Sequence, residues 1–150
     1  MKTQISKIGG KRVKIKTSAK GKVTISPAGD LEENLQAAQC VSLRMSPGYG
    51  KLFLFAGDQN AERRGPKAQA KAVKTGMMAG EPDLRLYFND GRVLLIENKT
   101  KMGKLTNMQI KRHKELASIG HNVVVIRSET PQDAVKQMWD AINQFMECGH

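Results

Sequence analysis

Two carboxylates and one amine stand where the sequence predicts the open end of a β-hairpin. Asp83 precedes an alternating apolar strand, and Glu97 and Lys99 end the next apolar run. Residues two apart on a strand project to the same face, so Glu97 and Lys99 point to one side and Asn98 to the other. The turn at residues 89–91 pairs positions whose numbers sum to about 180, which places Asp83 opposite Glu97.

This trio of side chains suits metal-assisted chemistry on an anionic substrate. Two neighbouring carboxylates repel each other unless a cation lies between them. Oxygen ligands favour Mg²⁺ or Mn²⁺ over zinc, and the backbone carbonyl of Asn98 could supply a further oxygen. Such an ion can orient a phosphodiester and activate a bound water. Lys99 could position that water, assist its deprotonation or offset negative charge in the transition state. The alternative is a structural ion pair between Glu97 and Lys99.

The charge distribution indicates an anionic partner. The 150 residues include 25 Lys and Arg against 14 Asp and Glu, a net charge of +11. Residues 1–29 hold eight basic residues and no acidic one, so we divide the chain into a basic N-terminal arm, 1–29, and one domain, 30–150. Weak alternation at residues 13–15 and 23–25 predicts a small hairpin in the arm. DNA explains the arm best, because Lys and Arg near phosphates release counterions; a solubilising tail is the alternative.

Nothing in the sequence indicates a membrane partner. No apolar run reaches the roughly 20 residues that span a bilayer, and the N-terminus lacks the apolar stretch of a secretory signal. The arm also has no aromatic or leucine face for a lipid surface. We therefore expect an intracellular, cytoplasmic location (host cytoplasm if virus-encoded). Cys40 and Cys148 lack zinc-site spacing, and two reduced thiols are favoured over a disulfide.

The first half of the domain is predicted to contain one long helix, one strand and a basic stretch. The helix begins at Asp30, its expected cap. A short apolar run at residues 52–55 predicts a buried strand. Residues 57–80 are too charged to form core, although residues 68–73 have the pattern of a short helix.

The second half carries the clearest signals. The hairpin strands cover residues 84–88 and 93–96, and Thr106 caps the helix that follows. The apolar run at residues 123–126 predicts a strand buried on both faces, and Thr130 caps the last helix. Because the last strand is reached by a helical crossover, we predict an α/β fold with a mixed sheet flanked by helices.

Pro82-Asp83 with Glu97-Asn98-Lys99 resembles the motif of the PD-(D/E)XK nuclease superfamily. The wider sequence resembles one branch of it, the VRR-NUC (virus-type replication-repair nuclease) domains. The positions that carry this resemblance are Gly80, Pro82, Asp83, Leu84, Glu97, Lys99, Thr100, Leu105, Thr106, Gln109 and Gly120, with Glu32 and Gln36 upstream and Asn60, Arg63 or Arg64, and Lys74-Thr75-Gly76 between. Glu81 departs from the small or apolar residue usual before Pro82, and residues 1–29 have no counterpart.

The resemblance implies a restriction-endonuclease-like αβββαβ core and a site for Mg²⁺ or Mn²⁺. The catalytic set that it implies is Asp83, Glu97, Lys99, Gln109 and Glu32, with Asp83, Glu97 and the backbone of Asn98 as metal ligands. Lys99 would be the catalytic lysine, and Gln109 would support the site from its helix. Glu33 is the other possible register for Glu32.

Several basic side chains are candidates for contacts with DNA phosphates. They are Arg63, Arg64, Lys74, Lys101, Lys111, Arg112 and Lys114. A solvated basic helix face is the alternative for the last three. His113 shares a helix face with Gln109, four residues earlier, and we interpret it as a surface or phosphate-contacting residue rather than a metal ligand.

These observations predict a metal-dependent DNA endonuclease that acts on branched or Holliday-junction-like DNA in replication, repair or recombination. Small stand-alone members of this family resemble junction resolvases, which work as symmetric dimers because they cut two strands. We therefore expect a homodimer. One alternative is a non-catalytic DNA-binding module on the same fold. Another is a nuclease with exonuclease or RNA preference.

Overall fold

The N-terminal segment forms a small sheet of its own. The computed structural model describes residues 1–28, 31–58 and 65–149. Strands β1 (Lys2–Ile8), β2 (Lys11–Thr17) and β3 (Val23–Pro27) form an antiparallel meander in the order β1-β2-β3. Ile15 pairs with Ile25, so the predicted hairpin of the arm is present. Strand β1 was not predicted, although Gly9 and Gly10 both have positive φ, which tight hairpin turns require.

The rest of the chain builds an α/β unit. Its elements are α1 (Glu32–Met45), β4 (Phe53–Gly57), α2 (Pro66–Lys74), β5 (Leu84–Phe88), β6 (Val93–Thr100), α3 (Asn107–Ser118), β7 (Val123–Ser128) and α4 (Pro131–Glu147). The short helix expected near residues 68–73 is α2, and both helices with threonine caps begin where predicted. Leaving out α2 and the final helix α4, the order is the expected αβββαβ core.

Four strands form a mixed sheet in the order β4-β5-β6-β7. β4, β5 and β6 are antiparallel, whereas β7 runs parallel to β6 because α3 carries the chain back across the sheet. In the hairpin, Leu84 faces Ile96 and Leu86 faces Leu94, as the turn residues predicted. The predicted fold class, a mixed sheet flanked by helices, is confirmed.

The core lies between one face of this sheet and helices α1 and α4. Alternate residues of β5 and β6 point into it, including Leu84, Leu86 and Ile96, which are fully buried. Leu43 of α1 and Met138 of α4 pack against them. Each such side chain contributes roughly 2 kcal/mol to folding by its burial, so the core fixes β6 firmly in place.

Three local predictions were wrong or fall outside the described residues. β4 is an edge strand, not a buried one, and Leu54 is 55% exposed. β7 is the other edge, and Val123 to Val125 are only partly buried. Helix α1 has Leu31 at its N-cap position without a side-chain cap, while Asp30, the expected cap, lies outside the described residues. Apolar runs report hydrophobicity but not a strand's place in the sheet.

Candidate active site

An acidic cleft of about 680 Å³ lies where the hairpin, α1 and the start of α3 meet. Its lining residues are Glu32, Glu33, Gln36, Ala37, Cys40, Asp58, Gly80, Glu81, Asp83, Glu97, Lys99, Thr106 and Gln109. The predicted catalytic set of Asp83, Glu97, Lys99, Gln109 and Glu32 thus meets in one cleft. Among the described residues, this lining holds six carboxyl groups and one lysine.

Asp83 is held across the hairpin from β6. Its Oδ2 accepts a hydrogen bond of 2.8 Å from the backbone N–H of Asn98. Its own carbonyl accepts bonds from the backbone of Asp58 at 2.9 Å and from the Gln36 amide at 3.3 Å. Burial raises the pKa of Asp83 above its ordinary value; the Asn98 bond opposes that rise, and the charge of Glu32 adds to it. The register of the ladder therefore fixes this carboxylate beside β6.

Glu97 is the most deeply buried acid of the site, with 1% of its surface exposed. Its Oε1 accepts a hydrogen bond of 2.7 Å from Nε2 of Gln109. Its Oε2 is buried and accepts a hydrogen bond from none of the described residues. Burial, the largest cause, and the neighbouring charge of Asp83 raise the pKa of Glu97 to about 8. The charge of Lys99 lowers this pKa by less than the charge of Asp83 raises it. A buried acceptor without a donor is costly unless a ligand occupies it.

Gln109 couples the start of α3 to this carboxyl. Thr106 Oγ1 accepts from the Gln109 backbone N–H at 3.2 Å, and Gln109 Oε1 accepts from the Thr106 backbone N–H at 2.9 Å, which is a capping box. The amide oxygen of Gln109 thus fixes the helix start while its nitrogen holds Glu97. Gly80, with φ of +80°, lies directly against the Met108 carbonyl, where no Cβ would fit.

Lys99 projects to the same side of β6 as Glu97. Its Nζ lies 3.9 Å from Glu97 Oε1 and 3.7 Å from Glu32 Oε2, at the first turn of α1. Only 7% of Lys99 is exposed. The helix terminus and the strand end therefore place two carboxylates around one buried ammonium.

Asn98 points to the opposite side of β6, as strand alternation predicted. Its side chain and that of Gln39 on α1 exchange two hydrogen bonds, of 2.9 and 2.6 Å, and both residues are fully buried. Gln39 Nε2 also donates to the Ala134 carbonyl of α4 at 3.1 Å. This amide pair ties β6 to both core helices. Sequence reasoning missed Gln39, although its spacing of four from Leu35 and from Leu43 places it on the buried face of α1.

His113 and Asp58 are two further neighbours of the site that sequence reasoning did not assign to it. His113 Nε2 lies 3.7 Å from Glu97 Oε2, too far for a hydrogen bond, and is itself buried and without a hydrogen-bond partner among the described residues. Burial, with the charge of Lys99, lowers the pKa of His113, which keeps the ring neutral near pH 7. His113 is therefore not the exposed surface residue that was one of its two interpretations, since 13% of its side chain is exposed; a contact with phosphate stays a prediction.

The donor set fits a hard divalent cation. Within the described ranges, no group of three or more His, Cys, Asp and Glu side chains is arranged as a metal site. Asp83 and Glu97 nevertheless lie together in the cleft, and Glu97 Oε2 is buried without a hydrogen-bond donor among the described residues. Oxygen atoms of this kind suit Mg²⁺ or Mn²⁺, and a cation would offset the neighbouring negative charges that add to the effect of burial on both pKa values.

The predicted phosphate-contacting residues lie in different settings. Lys74 ends α2, and Lys101, Lys111 and Lys114 are exposed. Arg112, by contrast, is partly buried and its Nε donates to Glu81 at 2.8 Å. Arg63 and Arg64, together with Asn60, lie outside the described residues.

A solved structure of a "VRR_NUC domain protein" is similar to this chain with a TM-score of 0.54. The match covers 77% of this chain and 90% of that one, at 22% sequence identity. The chain has the VRR_NUC fold. No family profile and no curated protein matches the sequence. In the described part of the chain, no helix is long and apolar enough to cross a membrane.

Proposed function

We propose that this chain is a VRR-NUC nuclease that uses Mg²⁺ or Mn²⁺ to hydrolyse phosphodiester bonds of DNA. One observation carries the proposal: Asp83, Glu97 and Lys99 meet in one cleft, where a buried oxygen of Glu97 has no donor among the described residues. A structural ion pair with Lys99, which lies against Oε1, would leave that oxygen without a partner. The basic chain and the similarity to a VRR_NUC domain protein support the same proposal.

In this proposal each side chain has a distinct task. Asp83, Glu97 and the carbonyl of Asn98 hold the divalent ion, which when bound supplies charge neutralisation and an activated water. Lys99 places a positive charge beside the reacting phosphate and holds or releases a proton at Nζ. Gln109 orients Glu97 from the start of α3.

The decisive assay is cleavage of supercoiled plasmid and of a synthetic four-way junction with Mg²⁺, Mn²⁺ or EDTA. We expect cleavage that requires the metal and is lost in Lys99→Ala, because the only buried ammonium of the cleft is then gone. Lys51→Ala is a matched control, since Lys51 is exposed in the turn before β4 and away from the cleft. Binding to DNA with no cleavage under either ion would instead identify a non-catalytic DNA-binding module.

The substrate class we propose is branched DNA, cut internally during replication, repair or recombination. The same assay with junction, flap, duplex, single-stranded DNA and RNA of equal length ranks these substrates. Nicking of closed circular DNA establishes endonuclease action. Faster hydrolysis of linear ends or of RNA would transfer the proposal to an exonuclease or a ribonuclease.

We also propose that the active form is a homodimer located inside the cell. Two active sites are needed to cut two strands of a junction together. Leu54 and Tyr87 face each other across β4 and β5 and are about half exposed, which gives an apolar surface of the kind that subunits bury. Light scattering after size exclusion measures the mass, and a monomer at assay concentrations with full activity would reject the dimer.

A further inference from the structure

The N-terminal sheet has two chemically different faces. Directly opposed residues of an antiparallel pair lie on the same face. Lys7 is opposite Arg12, Ile5 opposite Lys14, and Thr3 opposite Lys16. Because Arg12, Lys14 and Lys16 alternate along β2, they and Lys7 lie together on one side, here named the cationic face.

The opposite side of the same sheet is largely apolar. Its centre is formed by cross-strand neighbours that include Ile15 opposite Ile25 and Thr17 opposite Val23. Lys2 and Lys11 stand at its ends, and Lys22 lies in the turn that leads into β3. Residues 1–28 contain no acidic side chain that would neutralise either face from within the sheet.

The cationic face lies next to the strand that carries the reactive residues. Arg12 and Lys14, both half-buried, line a cavity of about 150 Å³ whose other lining residues include Thr100, Lys101 and the acidic Glu129. Lys101 follows Lys99 by two residues, which is about 7 Å along an extended chain. The cationic face therefore adjoins the end of β6 that leads to the acidic cleft, with Glu129 as an acidic neighbour there.

We propose that the cationic face binds the phosphate backbone of a duplex DNA arm that extends from the cleft. This inference rests on the proposed nuclease function and adds a second contact region to it. Arg12 to Lys16 spans about 13 Å, the rise of roughly four phosphates along one strand of DNA. Opposite charge, matching length and proximity to the cleft all favour a nucleic acid over a neutral partner.

The test compares two variants of the full chain with equal charge loss. The first is Lys7→Gln, Lys14→Gln and Lys16→Gln together, on the cationic face. The second is Lys2→Gln, Lys11→Gln and Lys22→Gln together, off that face. Both are titrated by fluorescence anisotropy against a 20-base-pair duplex in EDTA, so that nothing is cut, over a range of KCl concentrations.

Loss of the cationic face should lower the slope of log affinity against log salt by about 2.7, which is three lost phosphate contacts. At 0.1 M salt this corresponds to roughly 500-fold weaker binding if affinities converge at 1 M. The off-face variant should keep nearly the wild-type slope. If the triple variant loses its β signal in circular dichroism, Lys7→Gln and Lys16→Gln singly should each lower the slope by about 0.9.

Equal effects of the two variants would overturn the inference, because net charge and not the face would then govern binding. So would a cationic-face variant that binds DNA like wild type but no longer binds anionic vesicles. If wild type cuts plasmid and the cationic-face variant binds DNA as tightly as wild type, only this inference is rejected. If wild type binds DNA through the cationic face but cuts nothing with Mg²⁺ or Mn²⁺, only the proposed nuclease activity is rejected.

Discussion

Replacing Glu97 by glutamine should remove the pH dependence that this residue gives to the free energy of unfolding when no metal is bound. The folded protein raises the pKa of Glu97 to about 8 from an ordinary 4.5, chiefly by burial. A raised pKa means that the folded state holds the proton more tightly than the unfolded state does. The stabilisation is therefore complete below pH 4.5 and is lost as pH rises through 8. Glutamine has the same shape and no charge to bury, so Glu97→Gln removes this dependence.

The size of the effect follows from proton linkage. Between pH 5.5 and 7.5 the unfolded chain has released the proton of Glu97 and most folded molecules have kept it. Each pH unit then costs about 1.4 kcal/mol, so wild type should lose roughly 2–3 kcal/mol across this window relative to Glu97→Gln. Comparing the two proteins cancels the titration of groups that do not interact with Glu97.

Urea unfolding in EDTA at pH 5.5 and 7.5 measures this difference. Glu33→Gln is the matched control, because Glu33 is an exposed carboxyl in the same cleft and should follow wild type. Adding Mg²⁺ at 100 times its Kd should stabilise wild type by about 2.7 kcal/mol at pH 7.5 and leave Glu97→Gln unchanged. Parallel pH profiles for wild type and Glu97→Gln would refute the reasoning.

Three other substitutions test the surroundings of the site. Gly80→Ala should cost about 3 kcal/mol and weaken metal binding, because its Cβ would push the Met108 carbonyl and the start of α3 away from Glu97; urea unfolding at unchanged stability would contradict this. Gln39→Ala should also lower the free energy of unfolding by about 3 kcal/mol, because it leaves the buried amide of Asn98 without its partner. Gln39→Glu should not restore the wild-type free energy of unfolding in the same assay. His113→Ala should lower kcat about tenfold with KM for DNA unchanged, since it faces a carboxyl; a raised KM alone would restore its role as a phosphate contact.

Most of the fold could be predicted because each element carries its own local signal. The capping box at Thr106 and Gln109 marks the start of α3, and the turn between β5 and β6 sets a register that the structure reproduces. Strand order had no such signal. The valines of β7 form an apolar run that reads as fully buried, yet the strand is at an edge and only partly covered.

The cleft could be predicted as far as strand register reaches. Register alone brings Asp83 to β6 and puts Glu97 and Lys99 on one side of it. The contributions of Gln39 and His113 depend on how helices pack against the sheet, which no short-range pattern encodes. A run of lysine and arginine around His113 made its helix look solvated on every side, whereas the ring turns inward.

The buried amide pair of Asn98 and Gln39 also disfavours an incorrect register of β6. If β6 slipped by one residue against its neighbours, Asn98 would face the cleft, while Glu97 and Lys99 would enter the apolar core. In that register Gln39 would present a single amide group to the core, and one amide cannot satisfy both charges. An incorrect register is therefore disfavoured by the same residues that line the cleft. The alternation of charged and amide side chains along β6 therefore favours the correct register before any substrate binds.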